Sequence, residues 1–209
     1  MQDEETGTWW QQVSGEAILG PLKGKRLEPI EWDEVSFGLW KHEHPQGVVL
    51  KDDEKQRKNY AEEDWEKRIL KRPTVTAHRA DDPLKPRDLV FGVEWNGIAK
   101  AYPFETLKKR NPVMDTLGNL PLLIVVDIDG KSLRCFDRGV DGKPYDFFLR
   151  PSQNPLTLFD SQTGSEWDFS GTAVSGAMKG KALRRIPALK DFWFDWKIYH
   201  PLTKVYVGT

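Results

Sequence analysis

Two stretches of this chain carry one sequence pattern, and that repetition constrains the fold more than any other feature. Thr6, Gly7, Trp10, Ser14, Gly15, Ala17, Gly20, Lys23, Gly24, Lys25, Leu27 and Ile30 are followed by Trp40, Lys41, His44, Pro45 and Val49. The same residue types return in order as Thr163, Gly164, Trp167, Ser170, Gly171, Ala173, Gly176, Lys179, Gly180, Lys181, Leu183 and Ile186, then Trp196, Lys197, His200, Pro201 and Val205. One residue is lost between Trp167 and Gly171, and the register then holds from Gly15/Gly171 to Val49/Val205. Chance does not keep register over so many Gly and Trp positions, so the pattern reads as a duplication. The second copy is preceded by a long stretch of its own, the first by residues 1–5 alone. Residues 1–50 therefore read as the C-terminal half of a first module, 51–72 as a charged connector, and 73–209 as a complete second module. Strands of a half-module lack sheet partners, and unpaired backbone groups need covering. Three sources fit: a protein partner, an N-terminal half lying before Met1, or docking of residues 6–50 onto the intact module.

Glycines at 7, 15, 20, 24 and 38 are spaced like turns between short strands such as 16–19 and 48–50. Residues 31–42 place apolar side chains at mixed spacings and their counterpart 188–199 close to helical spacing, which predicts a short amphipathic helix in each copy. Each is closed by a His-Pro pair, since a residue before Pro is pushed out of the α region. The connector is charge-dense, reads as a solvated helix with Glu62/Lys67 and Glu63/Lys67 support, and is anchored by Tyr60, Trp65 and Ile69. From Pro73 the pattern turns to β. Residues 88–95 and 97–102 flank Asn96-Gly97, a strong hairpin signal. Residues 103–110 allow about two helical turns, cut by Asn111-Pro112. Leu122, Leu123, Ile124, Val125 and Val126 form an unbroken apolar run, as in a strand buried on both faces. Asp129-Gly130 then turns into a second hairpin through 131–136. Residues 140–153 read as a loop or edge region, and 156–159 open the repeated unit. The fold class is α+β and mainly β: short antiparallel strands and hairpins with a few short helices in a duplicated module.

The net charge of −1 provides no field for nucleic acid or an anionic membrane, so neither is an expected partner. No apolar run reaches the roughly 18 residues of a membrane span, so membrane insertion is not expected. Met1-Gln2-Asp3-Glu4-Glu5 is unlike a signal peptide, and the chain shows no address of its own. A single cysteine, Cys135, excludes an internal disulfide and any multi-Cys metal site.

Asp88, Gly92, Trp95, Asn96, Gly97, Lys100, Tyr102 and Pro103, then Asp115, Thr116 and Gly118, then Phe136, Asp137 and Arg138 form a familiar series. With Leu158, Asp160, Thr163, Gly164, Trp167 and the Gly/Lys-Gly-Lys unit, it resembles the prokaryotic family known as domain of unknown function 3179. The first copy resembles that family's tail more closely still. The resemblance covers nearly the whole chain outside the connector, and the family is usually seen on exported proteins, which leans the localisation toward extracytoplasmic. Its members share a Cys-Pro-x-Cys motif before the Phe-Asp-Arg strand and tend to carry a His before the Asp-Thr-x-Gly turn. Paired thiolates with an imidazole would suit a soft metal or redox chemistry. Here those positions hold Asp127-Ile128-Asp129-Gly130 and Arg110. The resemblance thus implies that this module has lost any such site, and no metal or cofactor is expected.

His42 and His44 would share one face of a strand, but only His44 has a counterpart, His200, and a helix-end role is the plainer reading. Asp127 and Asp129 alternate onto one face and, with Asp137 and Arg138, suggest Ca²⁺ oxygens or a catalytic acid pair; the competing reading is a set of hairpin-turn carboxylates. Cys135 reads as a buried thiol. The lysines of Lys23-Gly24-Lys25 and Lys179-Gly180-Lys181 read as basic turns. Trp10/Trp167 and Trp40/Trp196 are assigned to packing. Trp9, Trp32, Trp65, Trp95 and Trp193 are free to form an aromatic surface for a glycan or a protein. Three functions follow: a non-catalytic structural or interaction module serving as subunit or scaffold, a ligand-binding module using those Trp, or an enzyme using Asp127, Asp129 or Asp137. The missing Cys and His and the unpaired half-module favour the first.

Overall fold

The structure is a computed structural model that describes residues 1–28, 30, 32–74, 80–150 and 155–208. Strands β1 (Trp9–Trp10) and β2 (Ala17–Leu19) form a small antiparallel pair. Helix α1 (Phe37–Glu43) follows, then a 3-10 helix at Glu54–Asn59 and helix α2 (Trp65–Lys71). Next come β3 (Leu89–Trp95), β4 (Ile98–Pro103), α3 (Phe104–Lys109), β5 (Val113–Leu117), β6 (Leu120–Val126) and β7 (Leu133–Asp137). β8 (Gly139–Val140) and β9 (Lys143–Pro144) make a short ribbon. β10 (Phe147–Leu149), β11 (Thr157–Asp160) and β12 (Glu166–Asp168) form a three-stranded sheet. β13 (Arg184–Arg185), β14 (Leu189–Phe192), α4 (Trp193–Tyr199) and β15 (Lys204–Val205) close the chain. Two four-stranded sheets organise the rest, in the orders β14-β3-β4-β15 and β13-β7-β6-β5. The architecture is mostly β, with several small antiparallel sheets and few short helices.

Asn96 and Gly97 take φ of 50° and 75°, the paired left-handed geometry of a two-residue hairpin turn, and set β3 against β4 with Trp95 opposite Ile98. β6 is apolar without a break because both of its faces are buried. Leu122, Ile124 and Val126 join Tyr102, Phe104 and Leu107 in one cluster, while Leu123 and Val125 join Phe136, Phe147 and Trp167 in another. Each fully buried aliphatic side chain there contributes on the order of 1.5–3 kcal/mol. The helical turns expected at 103–110 are α3, which buries Phe104 and Leu107.

Several expectations are corrected. The helices begin later than the apolar spacing suggests, at Phe37 and Trp193, and residues 189–192 form β14 instead. An open edge of β3 accepts them, Leu189 opposite Gly92 through Phe192 opposite Leu89, and that ladder outweighs the 3.6-residue period. Both helices do end at the His-Pro pair, with His44 and His200 as C-caps in one shared conformation. Residues 140–150 do keep to the expected loop or edge region: β8 and β9 make a ribbon of their own and β10 is the edge strand beside β11, while residues 151–153 lie outside the described residues. Residues 48–50 form no strand, since among the described residues no sheet edge pairs with them. In the connector Tyr60 and Trp65 stay exposed and so do not anchor it, and Arg68, not Lys67, pairs with Glu62 and Asp64. Of the boundary placed at Pro73, residues 75–79 lie outside the described residues.

Hydrogen bonds recur at equivalent places in the two similar stretches. Asp160 accepts from the Thr163 amide at 2.6 Å and from the Trp167 indole at 2.9 Å; Asp3 accepts from the Thr6 amide at 2.6 Å and from the Trp10 indole at 2.8 Å. Ala173 donates to the Lys181 carbonyl and Ala17 to the Lys25 carbonyl, while Gly180 and Gly24 return the bond.

Candidate functional site

The two stretches differ in what covers them. Leu183, Ile186 and Trp193 are 6%, 4% and 2% exposed, packed on β6, β7 and β3, whereas Leu27, Ile30 and Phe37 at the same places are 51%, 76% and 61% exposed. Trp167 and Trp196 lie in the core, while Trp10 and Trp40 are half-buried. The sharing of Gly, Trp and Lys gives both stretches one local geometry; burial of the apolar side chains depends on the sheet that only the second possesses. The result is an N-terminal surface rich in unburied aliphatic and aromatic groups.

One part of the N-terminal stretch is fastened down. Arg134 on β7, 3% exposed, sends Nε and Nη2 to Asp33 at 3.0 and 2.7 Å and both terminal nitrogens to Glu43 at 2.6 and 2.7 Å. Nη1 also reaches the Phe169 carbonyl at 3.4 Å, and the guanidinium lies 4.7 Å from the Phe169 ring centre. All the N–H groups of the fork are thereby engaged. Burial would lower the basicity of Arg134, but Glu43 and Asp33 outweigh it and hold it above its ordinary value. The Arg134 hydrogen bonds hold Glu43 below the usual carboxylate range against burial. For Asp33, burial is the largest influence and acts upward, yet Arg134 and Arg185 overcome it. Lys190 pairs with Glu34 at 2.7 Å, and the Ser36 amide donates to Ser132 Oγ at 2.8 Å. Ser36 also caps α1, accepting from the Leu39 amide, and Leu39 packs against the core. Residues 33–43 thus form a polar latch with one apolar contact.

The predicted aromatic surface is split. Trp9, Trp32 and Trp65 are exposed, Trp95 is partly buried under the Arg184 guanidinium, and Trp193 belongs to the core, which corrects its assignment. Trp193 was misplaced because its partners Val90 and Ala101 lie far away in sequence. Trp32 borders a shallow cleft with Asp33, Arg185, Ile186 and Pro187. His42 lies on α1 and His44 at its cap, so the shared strand face does not exist. Asp127 follows β6 and Asp129 sits in the turn, so they do not alternate on a strand. Burial pushes the Asp127 carboxyl up. Burial acts upward on Asp129 too, but hydrogen bonds from Ser132 and the Lys131 amide hold it down to about 2. Asp137 accepts from Arg184 and the Gly139 amide, and Arg138 pairs with Asp146. Burial pushes the Cys135 thiol well above its usual range. The two positions where the resemblance implied thiolates hold Asp127 and Gly130, a carboxylate and a turn glycine, which do not fit a soft metal or redox pair. Among the described residues no group of three or more His, Cys, Asp or Glu is placed to hold a metal ion, and no helix is long and apolar enough to cross a membrane.

Sequence reasoning missed Asp33, Glu43 and Arg134. A signal existed in the repeat itself: Asp33 and Glu43 are charged where the second stretch has Leu189 and Tyr199. It also missed the joining of Lys100, Tyr102 and Asp115. There Asp115 Oδ2 accepts from the lysine at 2.5 Å and from the phenol at 2.8 Å, and burial, reinforced by Asp115, pushes the Tyr102 phenol well up. The cluster is internally satisfied.

The sequence profile of the family described as "Protein of unknown function (DUF3179)" matches residues 1–203. No curated protein and no solved structure matches.

Proposed function

The chain belongs to the DUF3179 family, and we propose that within it this protein is a non-catalytic interaction module, a subunit or scaffold of a larger assembly. The observation that carries this reading is the contrast between Leu27, Ile30 and Phe37 in water and Leu183, Ile186 and Trp193 in the core. Unburied groups of that kind at positions built for packing mark an interaction surface. The reading includes an internal duplication, with 1–50 the tail half of a first module, 51–72 its connector and 73–209 the second module. The repeated hydrogen bonds of Asp3 and Asp160 support it. It also includes loss of the family's Cys/His site. A glycan-binding reading draws on Trp9, Trp32 and Trp65 but loses Trp193. An enzymatic reading loses support because Asp129 and Asp137 are already engaged by turn amides and Arg184. Native mass spectrometry of the protein isolated from its source tests the proposal. A particle larger than the single chain is expected, and a clean monomer would overturn it.

A further inference from the structure

The second stretch shows how its final helix and strand hold a β-hairpin. α4 packs Trp193 and Trp196 on Val90 and Ala101, and Trp196 lies so close over Gly92 that a Cβ there would collide with the indole. β15 then pairs in parallel with β4, Val205 opposite Ala101. Two charges frame this contact: Lys197 pairs with Asp82, and His200 stands 3.9 Å from Glu94. The first stretch repeats these parts as Phe37, Trp40, Lys41, His44 and Val49, and among the described residues no hairpin packs beneath them. Phe37 stacks on Trp40 at 5.7 Å and faces solvent. Val48, Val49 and Leu50 are 90%, 63% and 101% exposed and belong to no strand. Such a β-prone segment with unpaired backbone groups is suited to strand addition.

We propose that α1 and residues 48–50 together dock a β-hairpin carried by a separate polypeptide, an inference that rests on the reading of this protein as an interaction subunit. The hairpin has glycine under Trp40, an open edge beside Val49, and carboxylates facing Lys41 and His44. Charge complementarity selects that occupant: Lys41 and His44 hold the places of Lys197 and His200, whose partners are carboxylates, and among the described residues no carboxylate pairs with Lys41. A second copy of this chain fits less well, because its β3–β4 hairpin already carries α4 and β15. It would also set Asp137 against Glu28, which stands where Arg184 pairs with Asp137.

The probe is a fluorescein-labelled peptide of residues 81–104, the chain's own hairpin sequence with Asp82 and Glu94 included, added to the full chain and followed by anisotropy. Saturable binding is expected, weakened at least tenfold by Trp40→Ala or Val49→Pro in the protein and by Gly92→Val in the peptide. Val49 lies in an exposed segment outside any strand, so Val49→Pro keeps the test clear of folding defects. Absence of saturable binding overturns the proposal. So does binding that survives Trp40→Ala and Val49→Pro but is lost with Trp196→Ala, since the peptide would then be displacing α4. Sedimentation showing a dimer that Val49→Pro dissociates would make the occupant a second copy and overturn it too. A large native particle with no peptide binding would refute the hairpin site while leaving the subunit reading intact.

Discussion

Replacing Arg134 with methionine removes the side chain that fastens residues 33–43 to the core. Arg134 is 3% exposed, while Asp33 and Glu43 keep 23% and 22% of their side-chain surface in water. Deleting one partner of a fully buried ion pair costs about 3–5 kcal/mol, because the remaining charge is stranded. The two carboxylates here regain water on release, which lowers the expected loss to about 2–4 kcal/mol. At roughly 2–4 °C per kcal/mol for a chain of this size, the melting temperature should fall by about 4–16 °C. Hydrogen exchange locates the damage. The Trp40 and His44 amides, bonded to the Ser36 and Trp40 carbonyls, should lose protection by more than the amides of β6. Adding Glu43→Gln to Arg134→Met should recover part of the loss, since Asp33 keeps its pair with Arg185 and no carboxylate of the latch is then stranded. A melting temperature within a degree of wild type, or unchanged protection of α1, would refute the latch.

The same pair sets an acid dependence. Asp33 and Glu43 are held below the ordinary carboxylate range, so their contribution is complete above the unfolded value of about 4 and is lost as pH falls through the depressed folded values. The stability gap between wild type and Arg134→Met should therefore be flat from pH 5 to 7 and close below pH 4, by urea unfolding. Asp191 works in the opposite sense: burial pushes it up to about 6, so ionising it costs native stability as pH rises from about 4 through 6. Asp191→Asn should stabilise the protein at pH 7.5 and do nothing at pH 4; equal effects at both would refute this. Gly92→Ala should cost about 1–3 kcal/mol, because its Cβ would intrude on the Trp196 ring, and an unchanged denaturation midpoint would show that ring free to move. Trp167→Phe strips a hydrogen bond from fully buried Asp160 and should cost about 2–4 kcal/mol. Trp10→Phe removes the matching bond to Asp3 near solvent and should cost clearly less.

What the sequence determined by itself was whatever depends on neighbours along the chain. The Asn96-Gly97 turn, the α3 turns before Asn111, the ends of α1 and α4 at His-Pro and the double-faced burial of β6 follow from dihedral preferences and side-chain spacing. Tertiary structure decided where a local pattern met, or failed to meet, a distant partner. Residues 189–192 became β14 because β3 offered an edge, while residues 48–50, with more β-prone side chains, found none. Trp193 is buried and Phe37 exposed at one repeat position because only the first of these has a sheet beneath it. The latch joins Arg134 to Asp33 and Glu43 across 101 and 91 residues, a distance over which no periodicity reaches. Local geometry is written in spacing, but burial and charge pairing belong to whatever the folded chain brings alongside.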